Sequence, residues 1–477
     1  MDMSGIQEFV YTIASKDALK SLRSRSFYLE LVLEHFIDEL IEKLHLTRAN
    51  LIYSGGGHAY LILPNTNKVK KQLELFETEC NEWLMITFRA KLFLACAYHE
   101  CSKRTLTNEI EGSYQEIFQE LSQKIYAKKI HRYSATQLIA LNQMSLEEHT
   151  RECIICHTSN HLTKDNICQT CDALIQMSGN ILHKGFYIVT KNKQYYPSLP
   201  LPYGKYLIAQ EEANLIEHLK SEETMCIYTK NISNPEIPKS KRLWVGDYAK
   251  QDTLEALANR AEGISRIAML KADVDDLENA FINGLPSKYR TISRTATFSR
   301  KMSIFFKYHI NFLLEHGTYY IGERQEKGAR DITIIYSGGD DICVVGSWDE
   351  VIGFAIDLQE SFERFAQGTL TISAGIGIYP KKYPISSMAR ETNELESYAK
   401  EYSNKNAIAL FDKDLVFSWK ELKENILEEK LSFLKVFFKE VPEKGKAFLY
   451  RMLELMRNIE KDETAEKETD KINLARL

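Results

Sequence analysis

The clearest rhythm of apolar and polar positions lies between residues 267 and 411. Ile267-Ala268-Met269-Leu270 runs into Lys271-Ala272-Asp273-Val274-Asp275-Asp276, the pattern of a buried strand with carboxylates at its exit. From about Ser293 to His316, Phe298, Met302, Phe305, Phe306 and Ile310 recur on one helical face, with Gly317 as the expected C-cap. The runs Ile332 to Tyr336 and Ile342 to Gly346 flank Ser337-Gly338-Gly339-Asp340-Asp341 and predict a hairpin with two aspartates just past its tip. Helices from about Trp348 to Ala366 and Ser386 to Tyr402 alternate with strands Leu370 to Ile378 and Ala407 to Phe411. This order predicts an α+β domain of ferredoxin-like or palm type, a largely antiparallel sheet with helices on one face.

The first hundred residues repeat that plan. Helices are expected over about Ser26 to Leu44 and Lys68 to Thr87, and strands over Ala49 to Tyr53, Ala59 to Leu63 and Lys91 to Tyr98. Tyr53-Ser54-Gly55-Gly56 against Tyr336-Ser337-Gly338-Gly339 anchors the repeat. Little precedes Asp2, so the chain is expected to begin inside a domain, as a fragment. Ile110 to about Met144 reads as helical, and short strands fall at Phe186 to Thr190, Tyr206 to Ala209 and Met225 to Thr229. A charged amphipathic tail carries Leu431, Leu434, Phe437, Phe438, Phe448, Met452 and Leu455, then a linker-like stretch, Lys461 to Asp470. The expected division is a first palm-like domain at 1–108, a linking domain at 109–246, a second palm at 247–414 and a helical domain at 415–477.

Composition narrows the function classes. A net charge of −5 excludes a polycation that grips nucleic acid non-specifically, so RNA contact is expected mainly through partner subunits. No apolar run reaches the roughly 20 residues that span a bilayer, and the expected location is cytoplasmic. Nine cysteines are an odd number and no disulfide framework. Four of them form Cys153-Ile-Ile-Cys156 and Cys168-Gln-Thr-Cys171, two knuckles spaced to hold one structural zinc with no open position for chemistry.

Asp340 and Asp341, with Asp273 at the matching strand end, are the candidate catalytic residues. Nucleotidyl transfer needs its triphosphate charge neutralised, and two Mg²⁺ or Mn²⁺ ions roughly 4 Å apart on shared carboxylates supply that. Ser337, Gly338 and Gly339, with Lys405 before the last strand, are expected to meet ATP, the glycines by close backbone approach. Asp275 is a further candidate ligand, and Asp276 reads as a helix cap. Arg294, Arg300 and Lys301 read as a solvated helix face.

These motifs, in this order, resemble the large signature subunit of type III-A CRISPR effector (Csm) complexes. Asp2-Met3-Ser4-Gly5-Ile6-Gln7 resembles that family's D-x-S-G-I-Q start, Gly55 to His58 its G-G-G-H hairpin and Gly338 to Asp341 its G-G-D-D motif. The resemblance implies two facing palms of cyclase and polymerase (GGDEF-like) type, a zinc element between them and a helical domain that closes the chain. It implies conversion of ATP to cyclic oligoadenylate when guide RNA pairs with target RNA, with sister Csm subunits as partners. Ser4, Gly55, Gly56 and Gly57 are then expected to bind a nucleotide in a first palm that activates nothing, since glycine and histidine replace its metal-binding aspartates. Family members usually also carry an N-terminal HD nuclease. No His-Asp metal motif is present in this sequence, so single-stranded DNase activity is not expected of this chain. The pattern at Leu477 stops mid-helix, and an incomplete C-terminal domain is expected. A stand-alone nucleotide cyclase and a non-catalytic scaffold are the rival readings. The duplicated palm with its zinc insertion speaks against the first, and the intact aspartates against the second.

Overall fold

The computed structural model describes residues 1–464 apart from 14–16, 144–149, 192, 194, 196, 233–236, 239, 323–327 and 442–446. Met1–Val416 packs as one compact unit and Phe417–Leu477 as another. The first begins β1 (Asp2–Ser4), α1 (Ile6–Tyr11), α2 (Ala18–Lys43), β2 (Leu51–Gly55), β3 (His58–Leu61), α3 (Asn67–Phe88) and β4 (Phe93–Ala95). Its strands stand in the order β2-β3-β1-β4, all antiparallel. Three residues therefore suffice for the strand before the first helix, because β1 is clamped between β3 and β4.

Helix α2 begins at Ala18, eight residues before the apolar period suggests. Its first turns carry Ser21, Arg23, Ser24 and Arg25, which mask the hydrophobic rhythm yet are all buried. Arg23 donates to Ser178 Oγ and Asp252, leaving its Nη1 buried without a partner, and Arg25 donates to backbone carbonyls. Leu22, Tyr28, Val32, Phe36 and Leu40 are also buried, the mark of a helix enclosed on every side. The polar side of its later turns is neutralised by Arg48 on Glu34 and Asp38, Lys241 on Asp38 and Lys205 on Glu39.

Helices α4 (Ser113–Ile130) and α5 (Ala135–Gln143) occupy the stretch expected to be helical; Met144 lies outside the described residues. After the cysteine knuckles come α6 (Gln169–His183), β5 (Phe186–Thr190), β6 (Leu199–Leu201), β7 (Lys205–Gln210), β8 (Thr224–Lys230) and β9 (Ser240–Leu243). These strands form a sheet in the order β9-β8-β5-β7-β6. Its Tyr187 and Leu207 join Leu22 and Phe36 of α2 and Met269 and Val345 of the second palm in one continuous core.

The second palm contains β10 (Ile267–Val274), α7 (Leu277–Asn283), α8 (Ile292–Ile304), α9 (Ile310–Glu315), β11 (Ile332–Ser337), β12 (Asp341–Ser347), α10 (Trp348–Ala366), β13 (Ile372–Tyr379), α11 (Ile385–Glu401) and β14 (Ala407–Leu410). Its order, β11-β12-β10-β13-β14, repeats that of the first palm, with β14 added in parallel to β13. Two details depart from the sequence expectation. The long helix is interrupted by a widened π turn at Phe305–His309, where Lys307 turns inward to pair with Glu30. Gly317 does not adopt a left-handed cap conformation: the helix is closed by His316. A Cβ at Gly317 would fall 2.7 Å from Arg330 Nε, so the residue makes room for a guanidinium buried between Glu350 and Asp357.

The second unit is helical, with a π-type segment at Glu421–Leu431, then α12 (Ser432–Glu440) and α13 (Ala447–Thr464). Helix α13 enters the stretch expected as linker, which contains neither Gly nor Pro to stop it. Residues 465–470 lie outside the described residues.

Candidate active site

Strand β10 is central and buried, and its register fixes what surrounds its last residues. Asp273 stands opposite Asp341 on β12 and opposite Ser373 on β13. The turn between β11 and β12 closes with Gly338 N donating to Asp341 O at 2.9 Å, which leaves Asp340 at the tip. Gly338 has no room for a side chain, since a Cβ there would lie 2.6 Å from Asp341 Oδ1. Gly339 is equally restricted, because a Cβ would lie 2.5 Å from Tyr53 Oη of the first palm.

The first-palm hairpin meets this one tip to tip. A Cβ on Gly55 would reach Gly339 Cα at 3.3 Å, and one on Gly56 would reach Asp340 Oδ1 at 3.6 Å. Gly56 and Gly57 have φ of 58° and 86°, the left-handed region that favours glycine. Glycines on both sides thus let two backbones approach where side chains would hold them apart.

Burial and crowding raise the aspartate pKa values. Asp341 is pushed up to about 7, first by burial and then by the charges of Asp340 and Asp273. Asp273 is pushed up to about 6 by burial, with Lys400 opposing; burial also raises Asp340, against the charge of His58. Lys400 Nζ lies 2.5 Å from Asp273 Oδ2 and 3.1 Å from Glu396 Oε1. The three aspartates do not converge on one point: among the described residues only the cysteine cluster brings three or more ligand atoms within 4.8 Å. Hard oxygen donors that repel one another at a strand end nevertheless fit a divalent cation, whose charge would relieve that repulsion.

In the first palm the equivalent register puts Asp2 opposite His58. Asp2 Oδ2 is 2.9 Å from His58 Nε2 and 2.7 Å from Lys129 Nζ, and Asp2 Oδ1 is buried without a partner. His58 Nδ1 lies 3.0 Å from Gly56 O. Both ring nitrogens face acceptors, an arrangement that favours the doubly protonated, charged ring. Burial opposes that charge, but the hydrogen bond and charge of Asp2 outweigh it and the His58 pKa is raised.

Other expected residues serve the frame. Asp275 is buried, and its Oδ2 accepts from Thr371 Oγ1, Ser373 Oγ and Asn406 N, tying β13 to the loop before β14. Asp276 starts α7 but makes no side-chain cap; it pairs instead with Lys405 at 2.5 Å. Ser337 Oγ donates to Phe306 O, and Ser4 Oγ to Phe93 O at 3.4 Å, so both hydroxyls are engaged within the fold. Arg294, Arg300 and Lys301 are exposed, as expected. Lys400 and Lys129 were not singled out in the sequence: each lies on an ordinary amphipathic helix, and only the fold aims them at Asp273 and Asp2. A cavity of about 640 Å³ opens beside the hairpins, bordered by Asp2, His58, Lys129, Tyr60, Phe281 and Asp340.

The four knuckle cysteines form a closed cluster, with Cys153, Cys168 and Cys171 buried. Tetrahedral zinc with Zn–S near 2.3 Å has S···S edges of about 3.8 Å. Cys156 and Cys168 Sγ lie 3.8 Å apart and all four sulfurs lie within 4.8 Å of one another, so this donor set fits zinc.

Duplicated antiparallel sheets of one strand order, with carboxylates at a central strand end and a glycine hairpin, define a protein of two palm-type domains. Residues 1–144 match the family model for Csm1 subunit domain B, and residues 266–409 that for Cas10/Cmr2, second palm domain. A CRISPR system single-strand-specific deoxyribonuclease Cas10/Csm1 (subtype III-A) of Enterococcus italicus is 42% identical, across 100% of this chain and 60% of that protein. Its Mycobacterium tuberculosis counterpart is 43% identical, across 95% and 59% respectively. Among solved structures, an apo Csm1-Csm4 cassette superposes with a TM-score of 0.72 at 28% identity, covering 93% of this chain and 60% of that one. A Csm1-Csm4 cassette in complex with cA4 gives 0.70 at 27%, covering 89% and 56%. The chain belongs to the Cas10/Csm1 family of subtype III-A CRISPR systems. It spans about 60% of the length of the curated relatives it matches.

Proposed function

We propose that this chain joins ATP into cyclic oligoadenylate as a subunit of a type III-A effector complex. The carrying observation is the tip-to-tip meeting of two hairpins of unlike chemistry, Asp273 opposite Asp341 on one side and Asp2 opposite His58 on the other. Asp273, Asp340 and Asp341 would hold Mg²⁺ or Mn²⁺, which when bound neutralises the triphosphate and lowers the pKa of the attacking hydroxyl. One nucleotide is assigned to the second-palm hairpin at Gly338 and Gly339 and another to the first at Gly55, Gly56 and Gly57, with the cavity beside the hairpins as the space for them. With His58 protonated, Asp2, His58 and Lys129 together carry one net positive charge, which attracts phosphate without a metal. In this reading the 3′-hydroxyl of one adenylate attacks the α-phosphate of the other. A new P–O bond forms, the bond to the β-phosphate oxygen breaks, and pyrophosphate leaves with the hydroxyl proton passing to water.

The names of similar structures support this reading: Csm1-Csm4 cassettes have been solved with ATP, pppApA and cA4. A Csm4-type subunit is the partner we propose, with guide and target RNA reached through the complex. No helix among the described residues is long and apolar enough to cross a membrane, and we place the protein in the cytoplasm. Incubation of the assembled complex with ATP and Mn²⁺, with and without target RNA, followed by mass analysis of products, tests the proposal. Rings of several adenylates support it; one mononucleotide ring indicates a stand-alone cyclase, and no product indicates a scaffold.

A further inference from the structure

Arg25 of α2 is 2% exposed, yet among the described residues no carboxylate pairs with it. Its Nη1 donates to Phe9 O at 2.7 Å, in the last turn of α1, and to Thr12 O at 2.9 Å, at its C-cap. Its Nη2 donates to Cys171 Sγ at 3.4 Å. A buried guanidinium without a counter-charge is costly, so the cysteine cluster must supply the anion. Four thiolates around Zn²⁺ carry a net charge of −2. A second cation meets the same cluster: Lys91 Nζ donates to Cys156 O at 3.1 Å.

Both cations also hold α1. A Cβ on Gly5, which precedes the helix with φ of 86°, would lie 1.9 Å from Lys91 O, so the chain at Lys91 seats the start of α1 while Arg25 seats its end. Ile13, just beyond, packs on the cysteines. From this helix both hairpins are reached. Ile6 Cδ1 lies 2.5 Å from where a Cβ on Gly57 would sit. Tyr11 Oη donates to Cys343 Sγ at 3.4 Å, two residues past Asp341.

We propose that Arg25 and Lys91 are counter-cations of the zinc tetrathiolate, and that this pairing latches α1, the helix against which both palm tips are set. Arg25 is on this account a positioning residue, remote from the reacting atoms. Zinc loss would leave Arg25 uncompensated and release the Phe9–Thr12 turn before the rest of the fold.

Hydrogen exchange on the full zinc-loaded chain, before and after chelation, tests this directly. The expected result is at least a tenfold loss of protection in the segment 5–13, with α10 unchanged. Equal protection in that segment, or loss spread evenly over residues 1–416, would overturn the latch. Arg25→Met is expected to speed zinc transfer to a colorimetric chelator about 10- to 100-fold, with Arg25→Lys in between because it keeps the charge but loses the fork. Lys91→Met, which leaves the α2 core untouched, is expected to speed release several-fold and serves if Arg25→Met does not fold. Wild-type release rates in the folded variants would equally overturn the proposal.

Discussion

Asp2 and His58 face each other across neighbouring strands at 2.9 Å, at the register position that the second palm gives to Asp273 and Asp341. One exchange, carboxylate for imidazole, turns a pair that repels into a pair that attracts. The first palm therefore balances its tip with its own side chains, whereas the second leaves Asp273 and Asp341 to repel each other. His58→Asp would remove that difference. The variant is expected to melt below wild type without divalent ions and to regain several degrees with Mn²⁺. Scanning fluorimetry with and without Mn²⁺ measures it; a variant as stable as wild type without metal contradicts the balance.

Asp340→Ala with Asp341→Ala is expected to reduce oligoadenylate synthesis at least about 100-fold while circular dichroism stays unchanged. Both side chains lie at the hairpin tip, outside the apolar core, so their loss opens no cavity. Synthesis within a few-fold of wild type would place the metals elsewhere.

The same carboxylates set a pH signature. The folded pKa of Asp341, about 7, lies above its ordinary value of 3.8. The folded state therefore holds this proton more tightly, and the group's contribution to stability falls as pH rises from about 4 to about 7. Metal-free Asp341→Asn escapes that loss. Its stability advantage over wild type is expected to grow across this window to on the order of 2 kcal/mol and then level off. Denaturant titrations at pH 5 and pH 8 check the sign; an advantage larger at pH 5 than at pH 8 refutes it.

Gly56→Val combines a left-handed φ, costing about 1–2 kcal/mol, with a branched side chain at the palm contact. Isothermal titration of the double aspartate variant, without metal, is expected to show one remaining ATP site, lost when Gly56→Val is added. Normal synthesis by Gly56→Val, with a single ATP bound by wild type, would reduce the first palm to packing.

Metal analysis of protein prepared without chelator is expected to find one zinc per chain. Cys168→Ser should lower that stoichiometry and the melting temperature together, because Cys168 belongs to the four-sulfur cluster and also caps α6. Full zinc retention by the variant would exclude Cys168 from the site.

The sequence alone determined the elements whose signals are local. The β11–β12 hairpin, α10 and the cysteine knuckles follow from alternation, helical period and spacing, which neighbouring residues carry among themselves. The repeat of Tyr-Ser-Gly-Gly also announced two related palms. Only tertiary structure decided where α2 begins, since the partners of Arg23 and the Cys171 sulfur beside Arg25 lie far along the chain. It alone turned Ser337 inward, drew Lys405 onto Asp276 and aimed Lys400 and Lys129 at the two strand-end aspartates. A lysine on an amphipathic helix reads the same whether it faces water or a carboxylate. The difference lies in the packing of sheets more than 100 residues apart, and it is that packing which brings Gly55 to Gly339 and makes two hairpins one site.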